Sequence, residues 1–188
     1  MAEEQNNKLL YPESISFDEG KFTLLLHITS GAINFGGISE IAATNMFDKK
    51  SEFHITIIGF KGGMIIREAL DKLLKDEKQM ALQQMRSLIA RTIWGFTFLP
   101  QKYHMMKEYV SRAGTAVSTE HRESYIQMLE IPDVATFYDA LNHILSTNLK
   151  PPPPHLTLYT RGDNPERGRA GIGINSQEEF LKLSPKPL

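Results

Sequence analysis

The stretch FHITIIGFKG at residues 53–62 has a counterpart in PHLTLYTRG at residues 154–162. In both strings a histidine is followed by an apolar residue, a threonine and a second apolar residue, and a basic residue with a glycine closes the string. Successive side chains of a β-strand point to opposite faces. The repeat therefore predicts two strands, each with an imidazole and a hydroxyl side by side on one face and aliphatic side chains behind them.

The predicted polar faces carry His54 with Thr56 and His155 with Thr157. We expect the two strands to face each other across a cleft, which then contains two imidazoles and two hydroxyls. An imidazole accepts or donates a proton near neutral pH. The four side chains thus favour proton transfer around a phosphate group.

The second string offers two further groups near this face. Arg161 lies an even number of residues after His155, so a regular strand predicts it on the same face, where a guanidinium suits a phosphate. Tyr159 shares that parity, and it is a candidate for stacking on a base or for packing.

Two basic residues are weaker candidates for substrate contact. Lys61 lies at an odd offset from His54 and points away unless a bulge forms at Gly59. Arg122 lies in the polar stretch 118–124, which also fits a solvated loop.

Composition limits the classes of protein. The 188 residues suffice for one large domain or two small lobes, 41% of them are hydrophobic, and the formal net charge is −1. A nucleic-acid partner therefore needs a local basic patch. The chain has no cysteine, which excludes disulfides, thiolate-bound zinc and thiol catalysis. With no signal-like start and no long apolar run, we expect a cytoplasmic protein without membrane contact, monomeric by default.

The remaining sequence alternates between strand and helix patterns. We expect a loose lead-in over 1–20, a loop over 114–120, a polar loop over 161–169, and either strand or helix over 103–110. The expected strands are 22–29, 52–60, 94–99, 124–129 and 170–174. Helices are expected at 38–43, 64–93 and 178–183, and the polar run 75–79 either separates two helices or marks an exposed middle. A further helix, with an amphipathic apolar stripe, is expected to begin after an N-cap at Asp133 and to end before Lys150.

The two halves echo each other as motif strand, connecting segment and helix. The order is not a clean βαβ alternation, so the sequence predicts a single α+β domain over residues 1–188, with two similar lobes, mainly antiparallel sheets and flanking helices. The four prolines at 151–154 predict a rigid, extended entry into His155.

The other histidines lack the full motif that surrounds His54 and His155. His27 belongs to a third His-x-Thr string, but Ser30 and Gly31 follow without the apolar and basic tail, so we interpret it as a buried strand end. A zinc site through His54 and His155 needs further ligands, and no His-x-His or His-Glu-x-x-His pattern supplies them. We therefore expect no metal.

The paired tetrapeptides His54-Ile55-Thr56-Ile57 and His155-Leu156-Thr157-Leu158 resemble the signature of the 2H phosphoesterase superfamily. The resemblance covers most of the chain in organisation and these strings in detail. It implies a bilobal α+β fold with pseudo-two-fold symmetry around a central cleft. It also implies chemistry without metal or cofactor on 2′,3′-cyclic phosphates, 2′-5′ phosphodiesters or related nucleotides.

A mechanism follows from these groups. One imidazole acts as base and the other as acid, while Thr56, Thr157 and Arg161 hold the phosphate. The expected partner is an RNA end or a nucleotide. Two alternatives stay open: a 2′-5′ RNA ligase, and a non-catalytic RNA- or nucleotide-binding module that keeps the same cleft.

Overall fold

The computed structural model describes residues 8–113, 116–163 and 171–188. Within these ranges the chain forms β-strands, α-helices and one 3-10 turn at Ser30–Ala32. The strands are β1 (Ser14–Asp18), β2 (Thr23–Ile28), β3 (Asp48–Lys49), β4 (Phe53–Ile58), β5 (Thr97–Ala113), β6 (Ala116–Glu130), β7 (His155–Gly162) and β8 (Lys186–Pro187). The helices are α1 (Ile38–Thr44), α2 (Phe60–Asp71), α3 (Lys75–Arg91), α4 (Val134–Leu145) and α5 (Gln177–Lys182).

The fold is α+β with antiparallel strand pairing, as predicted. In the described part of the chain, hydrogen bonds join the strands into one eight-stranded sheet in the order β1-β2-β4-β7-β6-β5-β8, with β3 also paired to β7. The two motif strands, β4 and β7, are thus neighbours at the centre of the sheet. The division into two sheets expected from the sequence does not appear in the strand pairing.

A core of aliphatic and aromatic side chains covers one face of the sheet. Ile55 and Leu156 lie in it with no exposed surface, together with apolar residues of α2, α3 and α4. The helix expected after Asp133 is confirmed as α4, and its apolar residues Phe137, Tyr138 and Leu141 are buried in this core. Within the described residues, no helix is both long and apolar enough to cross a bilayer.

A smaller apolar cluster covers part of the other face. Ile172, Ile174 and Phe180 pack there on Met105 of β5 and Ile126 of β6. Because residues 171–175 run along this face, they form a wall beside the polar side chains of β4 and β7.

Several predicted boundaries were wrong. Most of the expected loop 114–120 belongs to β6, which pairs with β5 along one long hairpin. The same pairing makes residues 103–110 part of β5, which decides the open choice between strand and helix. The expected lead-in contains β1, which pairs with β2. Residues 171–174 of the expected strand 170–174 form no strand. Long-range hydrogen bonding, which local pattern does not reveal, decides each case. The predictions that concern residues 1–7, 114–115 and 164–170 lie outside the described residues.

Helix α2 approaches the chain before β2 too closely for any side chain at one position. A Cβ at Gly63 would lie 2.1 Å from the carbonyl oxygen of Lys21 and 3.1 Å from that of Phe22. The first turn of α2 thus packs against the backbone of residues 21–22. Gly59, the N-cap residue of this helix, directly follows the end of β4, so the same packing holds this end of β4 in place.

We predict that Gly63→Ala destabilises the protein. Alanine improves helix propensity by about 1 kcal/mol, but the new methyl group meets backbone atoms, and overpacking of this kind costs roughly 1–3 kcal/mol or more. Thermal denaturation measures the loss. The matched control is Gly31→Ala, because no atom lies within 4 Å of a Cβ built there. Equal melting temperatures for the two variants would contradict the assigned approach.

Candidate active site

Strands β4 and β7 lie side by side and pair at the central residues of the two motifs. Ile55 is the partner of Leu156 in the antiparallel register. The two strands therefore do not face each other across a cleft, as the sequence analysis expected. They form a continuous floor, because in a sheet the polar face of each strand lies beside that of its neighbour.

A cavity of about 490 Å³ lies over this floor. His54, Thr56, His155 and Thr157 all line it. Each of the four is partly exposed, whereas Ile55, Ile57, Leu156 and Leu158 behind them are buried. The alternation that the sequence predicted for both strands is thus present, and it directs both pairs of polar side chains into one space.

The backbone before β7 orients His155. Its Nδ1 lies 2.9 Å from the carbonyl oxygen of Pro153. A carbonyl only accepts, so Nδ1–H donates, and the neutral ring has its lone pair on Nε2. Burial lowers the pKa of His155, although the Pro153 carbonyl partly opposes this by stabilising the charged ring.

Two histidines, a lysine and a glutamate influence the protonation of His54. Burial is the main cause that lowers the pKa of His54, and the charges of Lys50, His27 and His155 lower it further, while Glu52 raises it. His27 is the partner of His54 in the β2–β4 register, and the ring centroids lie 6.2 Å apart.

The interpretation of His27 as a buried strand end was wrong. The ring is half-buried and lies on the polar face, with Nε2 2.9 Å from the hydroxyl of Ser16. Directly opposite residues on neighbouring strands share a face, so the pairing with His54 explains this placement.

A glycine lies beside each motif threonine. A Cβ at Gly171 would be 3.0 Å from Oγ1 of Thr157, and one at Gly59 would be 3.4 Å from Cγ2 of Thr56. Both glycines line the cavity. The missing side chain of Gly171 leaves room next to the hydroxyl of Thr157, and that of Gly59 leaves room next to the methyl group of Thr56. Sequence reasoning missed the role of Gly171, which follows only from the path of residues 171–175.

Two lysines form a basic wall of the cavity. Lys61 reaches it because the chain leaves β4 at Gly59 and starts α2, so strand parity no longer applies. Lys107 of β5 also lines it, and its Nζ lies 2.5 Å from Oε1 of Glu179, whose Oε2 lies 3.8 Å from Nζ of Lys61. Burial raises the pKa of Glu179, but hydrogen bonds from Lys107 and Asn175 outweigh it and lower that pKa to about 2. Glu179 therefore stays anionic and ties both lysines in place.

Sequence reasoning missed Lys107 and its neighbour Tyr109, which also lines the cavity. A signal was present, since Met105, Lys107 and Tyr109 are spaced two residues apart and therefore share one face of β5. The unresolved choice between strand and helix over 103–110 hid this signal.

Tyr159 and Arg161 lie on the opposite face from the motif side chains. The register of β7 against β6 shifts between Thr157 and Tyr159, which adds one residue and reverses the parity that the sequence analysis assumed. Tyr159 is buried, and its hydroxyl lies 3.0 Å from that of Ser39.

The predicted placement of Arg161 on the face of His155 was therefore wrong. Its Nη2 lies 2.5 Å from Oε1 of Glu123, its Nη1 donates to the carbonyl of Asn45 at 2.7 Å, and its guanidinium covers the ring of Phe47. These contacts hold β7 to the segment between α1 and β3.

Arg122 lies next to the cavity without lining it. Its guanidinium pairs with Glu120 at 2.7 Å and covers the ring of Tyr109, with 4.4 Å between Cζ and the ring centroid. The side chain thus supports Tyr109 from outside. Over residues 8–113, 116–163 and 171–188, no three histidine or acidic side chains are grouped closely enough to hold a metal ion.

Comparison of the chain with protein-family models, with curated proteins and with solved structures gives no match. The assignment of a function therefore depends on the motifs and on the geometry described above.

We predict that the imidazoles of His54 and His155 titrate below about 6.5, the value for an unperturbed histidine, since burial lowers both pKa values. NMR titration of the ring nitrogens measures this, and it also identifies the Nδ1–H tautomer of His155. The same chain unfolded in urea is the control. Folded values at or above those of the unfolded chain would contradict the assigned burial.

The same shifts link stability to pH. The unfolded chain binds these protons more readily than the folded chain. The two neutral histidines therefore contribute fully to the free energy of unfolding above about pH 6.5. This contribution decreases as the pH falls from that value towards the pKa values of the folded protein.

Proposed function

We propose that the protein is a metal-independent phosphoesterase of the 2H type, acting on 2′,3′-cyclic phosphates or 2′-5′ phosphodiester bonds of RNA ends or nucleotides. One observation carries the proposal. Both His-x-Thr motifs line the same cavity, and their strands pair at Ile55 and Leu156, the equivalent residues of the two motifs.

The register supports a symmetric arrangement of the reacting groups. Two antiparallel strands paired at equivalent residues are related by a local two-fold axis, so His54 lies towards Thr157 and His155 towards Thr56. The two histidines are then diagonal neighbours, with roughly 7–8 Å between such positions. A phosphate between them has an imidazole on each side. We extend this axis to the whole sheet, so that β1, β2 and β4 form one lobe and β7, β6, β5 and β8 form the other.

The reaction assigns a separate task to each group. A neutral imidazole takes a proton from water, whose oxygen attacks phosphorus. The bond from phosphorus to the 2′ or 3′ oxygen breaks, and the protonated imidazole on the other side donates its proton to that oxygen. Thr56 and Thr157 donate hydrogen bonds to the non-bridging oxygens, and Lys61 and Lys107 stabilise the charge that builds there. The lone pair on Nε2 of His155 suits the role of base, and the reverse reaction exchanges the two roles.

We predict that His54→Ala and His155→Ala each reduce turnover of nucleoside 2′,3′-cyclic phosphates by roughly 100-fold or more, as expected for loss of an acid or a base. The double variant is little worse than either single variant, because the two groups act as a unit. Chromatography of the products in buffer with EDTA measures the rate and identifies the phosphate position. His143→Ala, an exposed histidine on α4, is the matched control and keeps full activity.

The pH profile of kcat/KM tests the same assignment. Burial lowers the pKa of both histidines, so the bell-shaped profile is centred below about 6.5. Activity that EDTA abolishes and a divalent ion restores would refute the mechanism. Joining of RNA ends without hydrolysis would favour the ligase, and tight nucleotide binding without turnover would favour the binding module.

A second prediction tests whether Lys107 of the basic wall, rather than Arg161, contacts the phosphate. Lys107→Met removes a charge that lines the cavity, and we expect KM for the cyclic phosphate to rise about tenfold. Arg161→Met leaves KM within about twofold and lowers the melting temperature, because its guanidinium contacts Glu123 and Asn45 on the opposite face. Steady-state kinetics and thermal denaturation of both variants measure this. A rise in KM for Arg161→Met and an unchanged KM for Lys107→Met would instead assign the phosphate contact to Arg161.

A further inference from the structure

A second cavity adjoins the one that contains the motif histidines. Its volume is about 510 Å³, and the two cavities share Gly59, Lys61, Ile174 and Asn175 as a common wall. None of the four motif side chains lines the second cavity. A single elongated molecule can therefore occupy both spaces, with its reacting group in the first and its continuation in the second.

The side chains of the second cavity favour an anion. Lys61, Lys150 and Lys182 line it together with Glu178 and Glu179. Glu178 pairs with Lys182, with 2.6 Å between Nζ and Oε1.

Glu179 adds no free negative charge to this space. The ammonium group of Lys107 approaches its carboxylate from the side of the first cavity. Among the described residues Lys150 forms no ion pair. The balance of the lining is therefore positive.

The polar lining also contains neutral hydrogen-bonding groups. Asn148, Asn175 and Ser176 line the cavity. Asn175 already donates one amide hydrogen to Oε2 of Glu179 at 2.8 Å, and the hydroxyl oxygen of Ser176 accepts the N–H of Glu179 at 3.0 Å. The Asn148 amide and the hydroxyl hydrogen of Ser176 are then the groups offered to a ligand. The hydroxyl of Tyr138, which lines it as well, donates to the carbonyl of Ile57 at 2.7 Å and is therefore already occupied. Amides and hydroxyls beside lysines suit the phosphate and sugar of a nucleotide.

We propose that the second cavity binds the phosphate next to the reacting one, so that the substrate is the 3′ end of a single-stranded RNA of two or more nucleotides rather than a free mononucleotide. This inference rests on the proposed function, because it assigns the first cavity to the reacting phosphate. Lys61 lies between the two phosphates, while Lys150 and Lys182 contact only the second.

Turnover of two matched substrates tests the inference. The substrates are adenosine 2′,3′-cyclic phosphate and the adenosine dinucleotide that ends in the same cyclic phosphate. We expect kcat/KM to be about tenfold or more higher for the dinucleotide. In the double variant Lys150→Ala/Lys182→Ala we expect this preference to disappear, while kcat/KM for the mononucleotide stays within twofold.

The control variant is Lys75→Ala. Lys75 is exposed and follows the C-terminal end of α2. Gly59, at the N-terminal end of this 12-residue helix, lines both cavities, so Lys75 is remote from them. This variant should keep the full preference for the dinucleotide. Equal kcat/KM for the two substrates in the native protein, or a preference that the double variant retains, would overturn the inference.

Binding of deoxynucleotides separates this inference from the proposed function, because it needs no turnover. The probes are 2′-deoxyadenosine 3′-phosphate and the corresponding dinucleotide with a 3′-phosphate. Calorimetric titration over a series of salt concentrations should show tighter binding of the dinucleotide, with a salt slope larger by about 0.7 for each extra phosphate neutralised. The double variant should lose this extra slope.

Absence of hydrolysis with both cyclic substrates would refute the proposed function alone. Equal affinities and equal salt slopes for the two deoxynucleotides would refute the second cavity as a phosphate site, whatever the activity.

Discussion

The antiparallel pairing of Ile55 with Leu156 is the constraint on which the candidate site depends. These residues lie about a hundred positions apart, and both are fully buried on the helical side of the sheet. Because side chains alternate, a slip of one residue in either strand would bury an imidazole and a hydroxyl and expose the aliphatic residues. Each aliphatic side chain moved out of the core would cost about 1.5–3 kcal/mol. The core thus determines the register, and the register brings His54 and His155 into one cavity.

The electrostatics of the cavity follow from the same placement. Burial lowers the pKa of both imidazoles, and the charges of Lys50, His27 and His155 lower that of His54 further, so the site resists protonation. In the proposed reaction, the negative charge of a bound phosphate raises both pKa values and favours the protonated form that a general acid requires. Glu179 holds Lys61 and Lys107 at the wall before any anion arrives. The side chains that we propose as acid, base and phosphate-binding cations are thus positioned by packing and by one carboxylate.

Two departures from regular strand geometry decide which residues surround the motifs. The extra residue in β7 after Thr157 turns Tyr159 and Arg161 to the opposite face, where they support the packing around Phe47. The chain leaves β4 at Gly59 and begins α2, and this change of direction brings Lys61 to the cavity. Both departures come from pairing and packing with other segments, so strand parity counted from a motif histidine is reliable only within the motif itself.

Alternation and apolar burial are local properties of a strand, so the α+β class, the two motif strands and the face of each motif histidine and threonine were predictable from the amino-acid pattern. Helix α4 was predictable from its local pattern as well. Three features became visible only in the folded chain: the motif strands are neighbours in one sheet, His27 lies beside His54, and Lys107 joins the wall. These features depend on hydrogen bonds and contacts between segments far apart in the chain, and no local pattern specifies which distant segments will pair.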